Sequence, residues 1–382
     1  MRANFRVIDQ LIQQTILILI ILIVIVFTSE LIKADFLMEL DLDQRPERAF
    51  EIINTELTLP KFHVKGIYVT GWVAGTKDMM DDLIQLVDDT IINTMVIDIK
   101  CQRGFLSYSS EVGLAKEIKA NRHKVRDIKG LLAELKLKGI YTIGRLVVFK
   151  DGLLATTRPD LALPLKDSEN EEIIYSKAWV DPGQQEVWSY IVLLAREAVK
   201  LGFDEIQFDY IRYPALASRP LQAVVAGNKY KSQIIGGFLQ YAKQELADLD
   251  IPLSIDVFGS TTRVKGDLGI GQNFQELSGI IDIISPMVYP SHYSPGSYGV
   301  EDPDAEPYHI IYRSLADAKE KVTANKNIII RPWLQDFSLR HLYSVQEVKE
   351  QIKATEDLGL KEWLLWNPRS QYTKEALLLA VE

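Results

Sequence analysis

The sequence predicts an α/β fold, a (β/α)8 TIM barrel preceded by an N-terminal signal or transmembrane segment. From residue 64 onward, short and continuously apolar runs alternate with amphipathic stretches. This pattern is typical of parallel strands buried on both faces and of the helices that cover them. Several apolar runs end in a charged or polar residue, which is costly to bury unless it is paired or used. Repeated along a chain, such residues indicate the C-terminal rim of a barrel, where active sites lie.

A doubly wound open sheet is the main alternative to the barrel. The first predicted strand runs into Tyr-Val-Thr-Gly-Trp, residues 68–72, which is not the Gly-rich phosphate-binding turn of that fold. The chain also offers eight strand-and-helix units, the number that closes a barrel.

The eight units can be assigned in order along the chain. The predicted strands are residues 64–70, 94–100, 141–149, 205–210, 253–258, 281–289, 327–334 and 362–366. The predicted helices are residues 78–89, 124–138, 184–201, 231–249, 272–278, 307–323, 344–357 and 371–380. A long insertion, roughly residues 150–180, separates the third strand from its helix. Gly202 and Gly359 end two helices just before the next strand, as is usual at a helix C-terminus.

The N-terminus carries an export or membrane signal. Ile16–Phe27 is purely apolar, and counting from Leu11 gives 17 residues, the lower limit for a membrane span. Arg2 and Arg6 precede this run and favour a cytoplasmic N-terminus. Because no small-x-small cleavage site follows, an uncleaved signal anchor is favoured over a cleaved signal peptide.

These observations divide the chain into three parts. Residues 1–34 are predicted to be a signal anchor or signal peptide, 35–62 a linker or N-terminal cap, and 63–382 the barrel. We expect the barrel to lie outside the cytoplasm, either held at the cell membrane by a single N-terminal span or secreted. A buried helix is the remaining interpretation of the first part, but the run is apolar on every face.

Composition excludes several classes of function. The formal net charge of −9 argues against a nucleic acid as the main ligand, since such proteins usually carry a basic excess. Cys101 is the single cysteine, so the chain can form neither an internal disulfide nor a thiolate metal site. The five histidines are scattered and form no HxH or HxxxH pair. We therefore predict no metal and no cofactor.

Two inward-facing carboxylates are the candidate catalytic residues. Side chains alternate along a strand, so Glu205, Gln207 and Asp209 share one face of the fourth strand. Ser254 and Asp256 likewise share one face of the fifth. Neighbouring strands lie about 5 Å apart, and carboxylates at that separation suit a retaining glycosidase, with one nucleophile and one acid/base residue. A shift of one layer between the strands would give the wider gap of an inverting enzyme.

The candidate substrate-binding residues lie at the same predicted rim. They are Asp98, Lys100, Arg145, Arg212, Tyr289, Gln335, Asp336 and Trp366. Arg145 or Arg212 could instead serve only to neutralise Asp209 in a buried ion pair. Alternatively, Arg145 could hold Asp209 ionised as a nucleophile.

Aromatic residues, on which sugar rings stack, cluster at this rim as well. They are Trp72, Tyr108, Trp179, Tyr210, Tyr213, Tyr289, Tyr293, Trp333 and Trp366, and we expect about half of them to be core residues.

Six segments carry a resemblance to a known family. They are Lys-Gly-Ile-Tyr-Val-Thr-Gly-Trp (65–72), Val-Ile-Asp-Ile-Lys (96–100), Trp-Val-Asp-Pro (179–182), Gly-Phe-Asp-Glu-Ile-Gln-Phe-Asp-Tyr-Ile-Arg-Tyr-Pro (202–214), Ile-Asp-Val-Phe-Gly (255–259) and Ser-Pro-Met-Val-Tyr-Pro-Ser-His-Tyr (285–293). Together they resemble the bacterial glycoside hydrolase-like domain family that was long described as a domain of unknown function. The resemblance covers about residues 62–380. It implies a TIM-barrel glycosidase and leaves the sugar open.

A second resemblance is looser. Asp209, Asp256 and Asp336 follow the fourth, fifth and seventh predicted strands, which is similar to the triad of the alpha-amylase superfamily. In that superfamily the residue after strand five is Glu, so the role of Asp256 as the acid stays open on this comparison.

The sequence therefore predicts a glycoside hydrolase that acts on a cell-wall or extracellular polysaccharide, with an oligo- or polysaccharide as its partner. Asp209 is the candidate nucleophile and Asp256 the candidate acid/base. A non-catalytic carbohydrate-binding barrel at the cell surface is the alternative, and it would need no ionised pair. A lyase or aldolase that forms a Schiff base through Lys100 is a third hypothesis.

Overall fold

The computed structural model describes residues 62–216, 220–225, 229–322 and 327–378. The predicted N-terminal signal or transmembrane segment, and all but the last residue of the predicted linker, lie outside these residues. Among the helices in the described part, none combines the length and the apolar character needed to cross a bilayer.

Strands and helices alternate through the described chain. The strands are β1 Lys65–Val69, β2 Thr94–Lys100, β3 Tyr141–Val147, β4 Ala162–Asp167, β5 Ile173–Val180, β6 Glu205–Asp209, β7 Leu221–Ala223, β8 Leu253–Phe258, β9 Ile283–Met287, β10 Ile329–Ile330, β11 Trp333–Gln335 and β12 Trp363–Trp366. The helices are α1 Gly71–Ala74, α2 Lys77–Asp89, α3 Gly113–Glu117, α4 Ile128–Leu137, α5 Gly152–Thr157, α6 Gln185–Leu201, α7 Lys231–Glu245, α8 Phe274–Ser278, α9 Pro307–Lys321 and α10 Val345–Asp357.

Parallel pairing closes the main sheet into a barrel. The order is β1, β2, β3, β6, β8, β9, then β10 with β11, and β12, and β12 returns to β1. β10 and β11 occupy one barrel position between them, so the barrel has eight positions. The predicted barrel is confirmed, and the open doubly wound sheet is excluded by the β12 to β1 pairing.

The seventh barrel strand is broken, whereas the sequence predicted one continuous run. β10 pairs only with β9, and β11 pairs mainly with β12. Pro332 lies at the break and has no backbone N–H to donate to a neighbouring strand. Arg331 still donates its backbone N–H to Ile284 O at 3.0 Å, which keeps the two segments in line.

Two separate apolar regions hold the barrel. The larger lies between the strands and the surrounding helices, and the smaller fills the barrel interior with Val64, Tyr68, Val96, Ile143, Tyr289, Trp333 and Leu364. Removing a Leu or Ile side chain from water contributes about 1.5–3 kcal/mol each. The continuous apolar pattern of the strands follows from this burial on both faces.

A polar cluster lies at the N-terminal end of the barrel interior. The wholly buried Arg331 donates from Nη1 to Glu205 Oε1 and from Nε to Glu362 Oε2, both at 2.8 Å. Ser254 Oγ donates to Glu205 Oε1 at 2.6 Å. These bonds join β6, β8, β10 and the start of β12 across the barrel. Glu205 therefore serves the scaffold, although it shares a face with Asp209.

The insertion at residues 150–180 forms α5 and an antiparallel hairpin of β4 and β5, to which β7 adds a third strand. Asp151 caps α5 by accepting from Leu154 N at 2.8 Å. Its other oxygen lies 2.7 Å from Lys100 Nζ, and both side chains are buried. Lys100 also donates to Val147 O at 2.7 Å. Lys100 thus joins β2 to the insertion.

Seven of the eight predicted helices are present in the described chain, α1, α3 and α5 are additional, and the predicted helix that is absent lies at the C-terminal end. Residues 371–378 hold a single short 3-10 turn, Lys374–Ala376, where the sequence predicted a helix. Asp336 accepts from Thr373 N at 2.9 Å and from Thr373 Oγ1 at 2.7 Å. Tyr372 Oη donates to Tyr68 O. These tertiary contacts hold the segment against the barrel mouth in a non-helical form.

We predict that Lys100→Met lowers the free energy of unfolding by about 3 kcal/mol, because it leaves the buried Asp151 carboxylate unpaired. The matched control is Lys77→Met, which removes an ion pair of similar length, 2.6 Å, from a side chain that is 82% exposed. That control is expected to change stability little, because solvent screens an exposed ion pair. Urea denaturation of both variants measures the difference, and equal losses would contradict the structural role of Lys100.

Candidate active site

A cavity of about 520 Å³ opens at the C-terminal ends of the barrel strands. Its lining residues come from β3, β6, β8, β9, β11, β12 and the loops that follow them. They are Arg145, Asp209, Tyr210, Arg212, Asp256, Phe258, Gly259, Ser260, Met287, Tyr289, His292, Tyr293, Trp333 and Trp366. This is the end of a (β/α)8 barrel at which active sites are built.

Arg145 lies at the base of the cavity and contacts three carboxylates. Nη1 donates to Asp98 Oδ1 at 2.6 Å, and Nε donates to Asp209 Oδ2 at 3.1 Å. Nη2 also donates to this oxygen of Asp209. Asp256 Oδ2 lies 3.9 Å from Nε. Burial opposes the charge of Arg145, but Asp209 and Asp98 raise its pKa well above the usual value, so the guanidinium is a permanent cation.

Asp209 and Asp256 lie at the same height in neighbouring strands. The register of β6 and β8 pairs Gln207 with Ser254 and Phe208 with Ile255, and its continuation sets Asp209 opposite Asp256. Because their Oδ2 atoms lie 3.1 and 3.9 Å from the same nitrogen of Arg145, these oxygens are at most 7.0 Å apart. The two carboxylates therefore face one common space.

The environments of the two carboxylates differ. Asp256 is buried, and its Oδ1 accepts from Trp333 Nε1 at 2.7 Å. Burial, and then the nearby charge of Asp209, raise the pKa of Asp256 well above that of an ordinary aspartic acid. Asp209 instead accepts from Arg145 and from the backbone N–H of Tyr210, contacts that suit an anion. The two carboxylates thus have different hydrogen-bond partners although they lie side by side.

Tyr210 has a backbone conformation that non-glycine residues rarely adopt. Its φ is +53°, in the left-handed region, which typically costs about 1–3 kcal/mol. This turn directs the Tyr210 N–H to Asp209 Oδ1 at 2.5 Å. The Tyr210 hydroxyl donates to Gln102 Oε1 at 3.0 Å, which fixes the ring at the cavity edge.

Aromatic rings form one wall of the site. Tyr68 and Trp366 stack with ring centroids 4.0 Å apart, and the guanidinium of Arg145 lies 5.2 Å from the Trp366 ring. Trp333 meets Trp366 edge to face at 5.5 Å. Burial, and then the charges of Asp256 and Asp209, raise the pKa of Tyr289 well above its usual value. The Tyr289 hydroxyl therefore stays neutral and able to donate a hydrogen bond.

The structure brings most of the predicted site residues to this cavity. Both candidate catalytic residues line it, together with four of the candidate substrate-binding residues: Arg145, Arg212, Tyr289 and Trp366. Asp98 lies behind Arg145 and accepts from Tyr68 Oη at 2.7 Å, so it positions the guanidinium.

Besides Asp98, three predicted binding residues are not among the cavity-lining side chains. Lys100 is buried against Asp151, and Asp336 is held by Thr373. Gln335 accepts from Ser291 Oγ at 2.8 Å and donates to Phe337 O at 2.9 Å. All three are buried and bind other parts of the chain, where sequence reasoning expected contact with substrate.

Sequence reasoning missed several residues of the site. Tyr68 lies at an inward position of β1, two residues after Gly66. Because side chains alternate between the two faces of a strand, Tyr68 and Ile67 face opposite sides, and this pattern could have identified Tyr68 as a site residue. Phe258 and Met287 end buried strands and His292 follows one, and none of the three carried a separate signal. Of the predicted aromatic cluster, Tyr108 and Tyr213 are core residues and Trp72 is 66% exposed, whereas five members line the cavity: Tyr210, Tyr289, Tyr293, Trp333 and Trp366. In the described parts of the chain, no group of three or more His, Cys, Asp or Glu residues could hold a metal ion.

The barrel and its paired carboxylates define the class as a TIM-barrel protein with a glycosidase-type site. A family model described as "Putative glycosyl hydrolase domain" matches residues 66–372. The chain therefore belongs to this family of glycosyl hydrolase domains and is an enzyme of the glycoside hydrolase type. The resemblance read from the sequence is confirmed.

Two solved structures are similar to the chain. A hypothetical protein from Ruminiclostridium thermocellum ATCC 27405 is 36% identical, and the match covers 50% of this chain and 97% of that protein, with a TM-score of 0.45. The PgaB (BpsB) glycoside hydrolase domain from Bordetella bronchiseptica is 12% identical over 81% of this chain and 95% of that domain, with a TM-score of 0.60. Because the sequence identity to the PgaB domain is only 12%, this similarity supports the fold alone. A comparison with curated proteins gave no match.

We predict that Asp256→Asn stabilises the protein increasingly as the pH rises. The pKa of Asp256 is raised in the folded state, so its contribution to stability is complete below the unfolded pKa of about 4 and is lost as the pH rises toward the folded pKa. Asparagine carries no charge to bury and can still accept from Trp333. The gain should be about 1 kcal/mol at pH 7 for each unit by which the pKa is raised, and should vanish near pH 4.

Urea denaturation between pH 4 and pH 8, a range chosen around the ordinary pKa of about 4, measures this gain. The matched control is Asp82→Asn, which makes the same substitution at an exposed position of α2. A stability difference for Asp256→Asn that is flat across this range, or that falls as the pH rises, would contradict the raised pKa.

Proposed function

We propose that the protein is a retaining glycoside hydrolase that acts on a cell-wall or extracellular polysaccharide, with Asp209 as the nucleophile and Asp256 as the acid/base. The observation that carries the proposal is the pair itself. Asp209 accepts hydrogen bonds from the Arg145 guanidinium, while burial raises the pKa of its neighbour Asp256. Trp366, which lines the cavity, offers an aromatic surface on which a sugar ring can stack.

The spacing of the pair favours a retaining mechanism. Retaining enzymes place the two carboxyl groups about 5–5.5 Å apart, and inverting enzymes place them about 6.5–9.5 Å apart to admit a water molecule. The upper limit of 7.0 Å between the Oδ2 atoms of Asp209 and Asp256 leaves little of the inverting range.

The first step forms a covalent intermediate. Asp256 gives its proton to the glycosidic oxygen, the bond from that oxygen to the anomeric carbon breaks, and Asp209 forms a bond to this carbon. Arg145 holds Asp209 in place through two hydrogen bonds to one oxygen. Tyr289, as a neutral donor that lines the cavity, can bind a substrate hydroxyl.

The second step reverses the roles. The Asp256 carboxylate takes a proton from water, the water oxygen bonds to the anomeric carbon, and the ester bond to Asp209 breaks. Two inversions give net retention of configuration.

We also propose that the apolar N-terminal segment holds this domain outside the cytoplasm or directs its secretion, as the run Ile16–Phe27 supports.

We predict that Asp209→Asn lowers the rate of polysaccharide hydrolysis by at least about 10³-fold, because it removes the nucleophile. The full-length chain is assayed for release of reducing ends from a panel of polysaccharides that includes cell-wall material. Asp98→Asn is the matched control. This variant changes the contact to the Arg145 guanidinium on the side away from the cavity. It should lose far less activity than Asp209→Asn.

Proton NMR of the first product formed measures its anomeric configuration. Retention is expected, and inversion would assign Asp209 and Asp256 to an inverting enzyme. Hydrolysis that survives in Asp209→Asn would contradict the assignment of the nucleophile. Binding without hydrolysis by the wild type and Asp209→Asn alike would favour the carbohydrate-binding barrel.

A further inference from the structure

Arg212 is a buried cation in the wall of the cavity. Its side chain lies among three aromatic rings, with the guanidinium carbon 4.4 Å from the Phe258 ring, 4.9 Å from the Trp179 ring and 5.0 Å from the Tyr210 ring. The residue is only 9% exposed. Contacts of this kind hold the guanidinium in a defined orientation while its charge is largely removed from water.

Arg212 differs from the two other buried arginines of the barrel. Arg145 contacts Asp98 and Asp209, and Arg331 contacts Glu205 and Glu362. No carboxylate of the described residues forms an ion pair with Arg212. Its Nη1 donates to Tyr213 O at 3.0 Å, while the edge formed by Nε and Nη2 has no acceptor among the described residues. A buried charge without a partner is unfavourable, and in a cavity it indicates a ligand of opposite sign.

A second cation lies beside Arg212. Lys150 Nζ is 4.9 Å from the centre of the Tyr210 ring and donates to Gln102 Oε1 at 3.1 Å. Burial, and then the charge of Arg212, lower the pKa of Lys150. No carboxylate in the described part of the chain forms an ion pair with Lys150. Two neighbouring cations thus share the region around Tyr210.

The cationic region continues into a second groove of about 550 Å³. Its lining residues are Gln102, Arg103, Phe105, Lys150, Gly152, Leu153, Thr156, Lys177 and Ala178, which include three cations and no acidic side chain. Gln102 and Lys150 line this groove and also contact Tyr210 of the catalytic cavity. A chain of sugars leaving the cavity on this side would therefore pass only positive charge.

We propose that Arg212, assisted by Lys150, binds the carboxylate of an acidic sugar residue in the substrate. The inference rests on the proposed function and narrows its substrate to a carboxylated polysaccharide. The free edge of Arg212 carries two parallel N–H groups, the geometry that binds a carboxylate with two hydrogen bonds. The net charge of −9 would repel a dense polyanion, so carboxylates spaced along a sugar chain fit the molecule better.

The test compares acidic and neutral sugars of otherwise similar shape. Dissociation constants of the full-length chain are measured by ligand-observed NMR for methyl glucuronide against methyl glucoside, and for N-acetylmuramate against N-acetylglucosamine. We expect at least one acid to bind about tenfold or more tightly than its neutral counterpart, since a hydrogen bond to a charged group is worth at least this factor. The glucuronide pair tests a carboxylate at the end of the sugar's own carbon chain. The N-acetylmuramate pair tests a carboxylate on a lactyl ether substituent.

Variants locate the preference in the protein. Arg212→Gln should abolish the preference, and Arg212→Lys should keep part of it, because lysine retains the charge and loses the paired donors. The matched control is Arg313→Gln, which removes an exposed arginine stacked at 5.8 Å on Tyr298 and should leave the preference intact. Added salt should weaken the preference in the wild type.

The outcomes separate this inference from the proposed function. Equal or undetectable binding of acidic and neutral sugars by the wild type would overturn the inference, as would a preference that persists in Arg212→Gln. Acid-selective binding that depends on Arg212 but comes with no hydrolysis of any polymer would refute only the hydrolase mechanism. Hydrolysis of a neutral polysaccharide without acid selectivity would refute only the carboxylate site.

Discussion

The contact between Arg145 and its carboxylates is the interaction on which the site depends. β3 carries the guanidinium between β2, which supplies Asp98, and β6, which supplies Asp209. Asp256 on β8 has its Oδ2 atom 3.9 Å from Arg145 Nε, so the same positive charge acts on its pKa. Without the guanidinium, these buried carboxylates would repel one another in a medium of low dielectric, and they would have to take up protons or reach water. One cation therefore allows three acids to occupy the barrel mouth together.

The barrel can bear this concentration of charge because its opposite end is held by a separate network. Arg331 joins Glu205 and Glu362 across the interior, and apolar side chains such as Val96 and Leu364 lie between the two polar layers. Each buried ion pair is unfavourable to form from water and strongly destabilising to break. The two layers thus fix the relative positions of the strands, and fixed strands are what keep catalytic carboxylates at a defined separation.

The sequence was sufficient wherever a feature depended on local periodicity. Alternation along β6 and β8 placed Asp209 and Asp256 on one inward face, and the described barrel agrees. The sequence-based prediction failed where the position of a side chain depends on a contact with a residue far away along the chain. Lys100 shares a strand with Asp98, but Asp151 draws it into the scaffold. Asp336 resembled a rim carboxylate, yet it binds Thr373 and holds the C-terminal segment out of a helix. Such partners are many residues away and have no periodic signal.

The same electrostatics can carry Asp256 through both of its proposed roles. Burial and the charge of Asp209 raise its pKa, which favours the protonated form that the acid step requires. In the proposed mechanism, bond formation to the anomeric carbon converts Asp209 into a neutral ester, and its charge no longer raises the pKa of Asp256. The pKa of Asp256 must then fall, while Arg145 keeps its charge 3.9 Å away. Asp256 becomes ready to accept a proton from water at the step that requires a base. In the proposed mechanism the acid and the base are therefore one residue, and the state of Asp209 selects between the two roles.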